Sequence, residues 1–117
     1  MSFQWHEFID LATLLASEDS ECHRRCAISR AYYATYHAGR RRWAQEQGHP
    51  TDRRIEHAPL WEYFRQQRAR SRVGENGRRL LQLRRSADYD ASPECSAKAT
   101  QYALHLAREL LATLAEP

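Results

Sequence analysis

The sequence predicts an all-α protein, an up-and-down bundle of four to five helices, on three observations. Only four Gly and four Pro interrupt 117 residues. Ala, Leu, Arg and Glu, which favour helix, abound, and the β-branched residues that favour sheet are few and scattered. Apolar residues recur at spacings of three and four over most of the chain, as a helix with one buried face requires. A chain of this length makes one domain, residues 1–117, and buries roughly two thirds of the surface it exposes when unfolded.

Taken in order, Ser2 can cap a first helix to about Ala16, with Trp5, Phe8, Ile9, Ala12 and Leu15 on one stripe. The polar stretch Ser17 to Ser20 breaks it. Ser17 or Ser20 caps the second and longest helix, whose first turn holds Asp19 and Glu21 at the positive end of the helix dipole. Gly48 supplies a left-handed stop after Gln47, and Pro50 prevents continuation. Thr51 and Asp52 offer the next cap, before a shorter segment through Ile55, Leu60, Trp61 and Phe64 kinked at Pro59. Gly74 and Gly77 read as a turn, with Asn76 capping a fourth helix from Arg78 to about Ala87. Ser92-Pro93 reads as the start of a fifth, in which Ala99, Tyr102, Ala103, Leu106, Leu110 and Leu114 keep helical spacing. The stripe of helix 2 should bury against that of helix 5, with Trp43 anchoring helix 2 on helix 3.

Charge is divided along the chain. Seventeen of the 18 basic residues are Arg, and residues 24–85 carry sixteen of them against five acids, a balance of +11; the rest carries −8, and the whole is +3. A basic middle suggests a surface for a polyanion, because planar guanidinium groups match phosphates in a two-pronged geometry. Acidic termini folding back would neutralise it. No apolar run is long enough to span a bilayer and no basic leader opens the chain, so a cytoplasmic protein with no membrane contact is expected. Three cysteines without an export signal read as free thiols.

The centre of the chain is AISRAYYATYHAGRRRW, Ala27 to Trp43. Arg30 and His37 are seven residues apart, about 20° short of two full turns, and so point the same way. Ala31, Ala34 and Ala38 between them allow another helix to approach closely, and Tyr32, Tyr33 and Tyr36 add bulk as core filling or as platforms for stacked bases. AISRAYYATYHAGR, followed by LLQLRRSADYD and a long terminal helix, resembles the HEPN family (higher eukaryotes and prokaryotes nucleotide-binding domain), over about Cys22 to Leu111. The resemblance implies a four- or five-helix bundle, a two-fold homodimer, and one of two roles. Many members are metal-independent ribonucleases serving as toxins or phage-defence effectors; others are non-catalytic modules that bind a nucleotide or a protein, such as a minimal nucleotidyltransferase or an antitoxin.

The family's nuclease signature is an arginine, four to six residues, then a histidine. Arg30 and His37 enclose six and are the catalytic pair the resemblance implies. In many nuclease members the signature lies nearer the C-terminus, where this chain has Arg84, Arg85, Ser86, Ala87, Asp88 and Tyr89, with Tyr89 in the place of a histidine. Chemically, RNA cleavage without a metal needs a group that moves a proton near neutral pH and a fixed cation for the charge growing on phosphorus. His37 and Arg30 suit those tasks, and two copies packed along helix 2 would bring two pairs into one cleft. Arg40, Arg41, Arg42, Arg84 and Arg85 are candidates to hold RNA or nucleotide phosphates, with Tyr33, Asp88 and Tyr89 as secondary candidates. A structural reading stands beside each: a histidine after an aromatic run serves as a hydrogen-bonded core residue, and Arg84 with Asp88 forms an i,i+4 ion pair. Cys22, His23 and Cys26 with Cys95 or His57 could hold zinc, but lack zinc-knuckle spacing, and no metal or other cofactor is expected. There is no Gly-rich phosphate loop and no G-x-S-x-G.

Overall fold

The computed structural model describes residues 2–116 as five α-helices and no strand among them. They are α1 (Glu7–Ala16), α2 (Glu21–Gln47), α3 (His57–Arg65), α4 (Ser71–Tyr89) and α5 (Ala97–Ala115), with a 3-10 turn, Arg68–Arg70, before α4. None is long and apolar enough to cross a membrane. The 27 residues of α2 make it the axis, and it packs against all four other helices.

The ends of α2 are those its residues dictate. Ser20 is extended and its hydroxyl accepts the His23 N–H at 3.4 Å, and Gly48 closes the helix at φ +72°, where a Cβ would be strained. Ala27, Ile28, Ala31, Tyr32 and Ala34 are buried on α2, facing a core that includes Leu104, Leu106, Ala107 and Leu110 of α5. Arg25 fastens the far end of the bundle. Its Nη1 donates to the carbonyls of Ser86, Ala87 and Asp90, and its Nη2 to those of Ala91 and Pro93, so one cation satisfies the bare end of α4 and the loop after it.

Four boundaries differ from the sequence expectation, each for a physical reason. Ser2 does not cap α1; the helix starts at Glu7, whose carboxylate receives the Gln4 N–H at 2.9 Å. Thr51 and Asp52 do not cap α3, which begins at His57, and Pro59 produces no kink because it sits in the first turn, where its missing N–H has no intrahelical acceptor. Gly74 and Gly77 lie inside α4 rather than in a turn, and Asn76 is not its cap. A Cβ on Gly77 would come within 2.2 Å of the Trp61 ring, and one on Gly74 within 2.4 Å of the Trp61 carbonyl oxygen and the Arg65 nitrogen. These glycines therefore set how closely α3 and α4 pack. Finally, α5 starts at Ala97, with Ser96 accepting the Ala99 N–H at 3.0 Å, and not at Ser92-Pro93. Trp43 tilts over His49 in the following loop, 5.2 Å between ring centres, while fully buried Trp61 joins α3 to the core.

Candidate functional site

The site begins at a chain of three buried or half-buried polar groups. Trp61 Nε1 donates to the Tyr32 hydroxyl at 3.1 Å, and that hydroxyl lies 2.5 Å from His57 Nδ1. Burial raises the Tyr32 phenol far above its ordinary range, so it keeps its proton. The phenol has one proton to give, and when it gives it to His57 Nδ1 the hydrogen of neutral His57 sits on Nε2. The contact with Tyr32 sets the aim of the imidazole. Tyr36 stacks on the His57 ring at 4.3 Å and ties down the loop below it by donating to the Ile55 carbonyl at 2.6 Å.

Around this ring opens a cleft of about 470 Å³ lined by Tyr36, His37, Arg40, Arg54, Ile55, Glu56 and His57. Arg40 donates to the Asp52 carbonyl at 3.2 Å, while its Nε is buried without a partner. His37 lies parallel to the indole of Trp5, 3.5 Å between centres, and its Nδ1 is likewise buried without a partner. Burial first, then the charges of Arg40, His57 and Arg30, lower the His37 pKa to about 4. The His57 pKa is also lowered, by burial and then by Arg84 and Arg85. Both imidazoles are neutral at pH 7. The fixed charges at the rim are two guanidinium groups and one carboxylate.

Arg30 does not line this cleft. Its guanidinium is held between the rings of Phe8, at 4.9 Å, and Tyr33, at 5.4 Å. Arg30 and His37 share a face of α2, and Phe8 and Trp5 of the same chain lie across it. Of the three consecutive arginines only Arg40 reaches the cleft. Arg41 and Arg42 line a separate groove between the ends of α2 and α5, where Arg42 donates to the Leu114 carbonyl at 2.5 Å.

Arg84 is only 8 % exposed and spreads its charge over the rings of Tyr32 and Tyr33, at 5.5 and 5.4 Å. It forms the expected pair with Asp88 at 3.5 Å, and Ser29 donates to the same carboxylate oxygen at 3.3 Å. Arg84 thus acts on the site through the aromatic rings and through its field on His57, while Arg85 is exposed. Tyr89 is 77 % exposed, in a hollow formed with Glu21, Arg25 and Asp90, apart from the cleft. Cys22, His23 and Cys26 are exposed on α2, whereas Cys95 is buried against Thr100. Among the described residues no three His, Cys, Asp or Glu side chains converge as metal ligands.

Two cleft residues escaped the sequence reading. From residue type and spacing alone His57 reads only as a possible zinc ligand, and Arg54 as one of many arginines. The available signal was a histidine two residues before Pro59 at the mouth of a helix, a place where an imidazole meets solvent and core at once. Comparison of the chain with protein-family models, curated proteins and solved structures gives no match.

Proposed function

We propose that this chain is a HEPN-like RNA-binding module whose cleft takes a phosphodiester and cleaves it without a metal. The observation that carries the reading is the convergence of two neutral imidazoles and two guanidinium groups on one open cleft. Arg40 and Arg54 would grip the non-bridging phosphate oxygens, and the Nε2–H of His57, aimed by Tyr32, would donate to the same oxygens as charge builds there. A bound phosphodiester adds negative charge beside His37 and draws its pKa back towards neutrality, which makes it a better proton acceptor. His37 then takes the 2′-hydroxyl proton, the 2′-oxygen bonds to phosphorus, and the 5′-oxygen departs and takes its proton from solvent. The products are a 2′,3′-cyclic phosphate and a 5′-hydroxyl.

Relative to the residues first read from the sequence, His37 keeps its role, Arg40 and Arg54 take that of Arg30, and Arg30 becomes a support. Incubation of purified protein with RNA in EDTA tests this. Wild type should cleave, and His37→Ala, His57→Ala and Arg40→Ala should each lose roughly 100-fold or more. Cleavage that persists in both histidine variants would exclude the mechanism.

A second reading is the non-catalytic module that holds a nucleotide or a partner such as a nucleotidyltransferase or antitoxin. It is favoured by one observation, the low basicity of His37 beneath Trp5. In that case wild type binds RNA or nucleotide in the cleft and leaves it intact. The homodimer implied by the HEPN resemblance would form through a face other than the one α1 covers.

A further inference from the structure

A second concave surface lies on the outer side of α3 and α4, lined by Arg65, Glu75, Arg78, Arg79 and Gln82. Residues 75, 78, 79 and 82 fall on one face of α4, and the next turn of that face brings Arg85. The two helices run in opposite directions. Gly74 packs against Arg65 at the end of α3 and Gly77 against Trp61 in its middle, whereas Arg84 and Arg85 stand close enough to His57, at its start, for their charges to depress its basicity. The arginine stripe therefore leads from this groove to the histidine cleft. Its members are exposed, and Arg78 and Arg85 have no hydrogen-bond or ion-pair partner among the described residues; Arg65 meets Glu62 at 3.3 Å and Arg79 donates to Tyr102 at 2.9 Å.

We infer that the α3–α4 face is the track for a single RNA strand, with the scissile phosphodiester in the His37/His57 cleft and neighbouring phosphates on Arg85, then Arg78, Arg79 and Arg65. The inference rests on the cleft reading above and extends it to the class of substrate, a strand rather than a free nucleotide. From Arg78 to Arg85 is about 10 Å at the helical rise, close to three nucleotides of stacked strand. Arg78 and Arg85, exposed and without partners among the described residues, suit a mobile backbone, since a phosphate displaces only water and counterions from them. On Arg65 and Arg79 it competes with Glu62 and the Tyr102 hydroxyl. Gln82, between Arg78 and Arg85, offers an amide that can reach a base or a sugar hydroxyl.

The test uses 2′-O-methyl RNA, which cannot be cleaved, as a labelled single strand of about 12 nucleotides and as a dinucleotide that reaches only the cleft. Binding is read by fluorescence anisotropy over a series of salt concentrations, with circular dichroism to check folding. The variant Arg65→Gln/Arg78→Gln/Arg79→Gln should bind the long strand at least about ten-fold more weakly, with a salt slope shallower by about 2, and bind the dinucleotide as wild type does. His57→Ala should weaken both probes. If the triple variant holds the long strand with wild-type affinity and slope while His57→Ala remains impaired, the track is wrong and the cleft stands. If His57→Ala and Arg40→Ala leave dinucleotide binding unchanged, the cleft reading itself fails. Equal affinity for duplex RNA of the same length would overturn the single-strand assignment, and complete displacement of the strand by a polyglutamate peptide at equal charge concentration would point to an acidic protein instead.

Discussion

Replacing Tyr32 by phenylalanine removes one oxygen and leaves Trp61 Nε1 buried without an acceptor, because that hydroxyl is the middle of the relay. The expected cost is about 1–3 kcal/mol in chemical denaturation. In the wild type, long-range 15N–1H correlation should show His57 as the Nε2–H tautomer, and in Tyr32→Phe the two tautomers should mix. His37 gives a pH dependence of definite sign. Its folded pKa, about 4, lies below the ordinary value of about 6.5, so the unfolded chain binds more protons between these values. This contribution to stability is complete above about pH 6.5 and is lost as the pH falls towards 4. With allowance for partial solvent access it is on the order of 1–2 kcal/mol. Trp5→Ala opens the imidazole to water, and its NMR titration midpoint should rise by more than one unit; a midpoint that stays near 4 would show that Trp5 is not what keeps water away.

At the scale of elements, the α3–α4 contact depends on the absence of two side chains. Gly77→Ala drives a methyl into the Trp61 ring, fully buried and unable to move aside, and should cost about 3 kcal/mol or more. Gly48→Ala meets no neighbour within 4 Å and suffers only the strain of its positive φ, about 1 kcal/mol. Thermal midpoints of the two variants should therefore separate clearly, with Gly77→Ala the lower. Leu110→Ala, from a side chain only 1 % exposed between α5 and α2, should cost roughly 2–5 kcal/mol by cavity formation. The elements themselves were legible in periodicity, and the caps at Ser20 and Gly48 were legible in residue type. The start of α4 was not. Two glycines and an asparagine within four residues have the local chemistry of a turn, and only a tryptophan more than ten residues earlier makes them helix-interior.

For the whole molecule, the divided charge is only partly cancelled by folding. Arg24 and Arg25 meet Asp19, Glu94 and Glu21, and Arg72 meets Glu109, so some acidic end residues do return to the basic middle. Arg40, Arg54, Arg78 and Arg85 have no ion-pair partner among the described residues, and all lie at the cleft or along the stripe that leads to it. If about five phosphates are neutralised, raising salt from roughly 50 to 200 mM should lower single-strand RNA affinity about 100-fold. An affinity independent of salt over that range would mean that the guanidinium groups do not meet phosphates.

The sequence by itself determined the helical class, the primacy of α2, the alanine stripe that seats α5, and the shared direction of Arg30 and His37. All of these follow from periodicity and residue type along one strand of chain. Only the tertiary structure decided which polar groups meet. The placing of α1 across α2 separates Arg30 from the cleft, and the packing of α3 through Trp61 and Tyr32 brings His57 to it. Helical phase tells where a side chain points, whereas its solvent access, its proton and its partners are set by whatever other element lies opposite, and that information is spread over residues far apart in the chain.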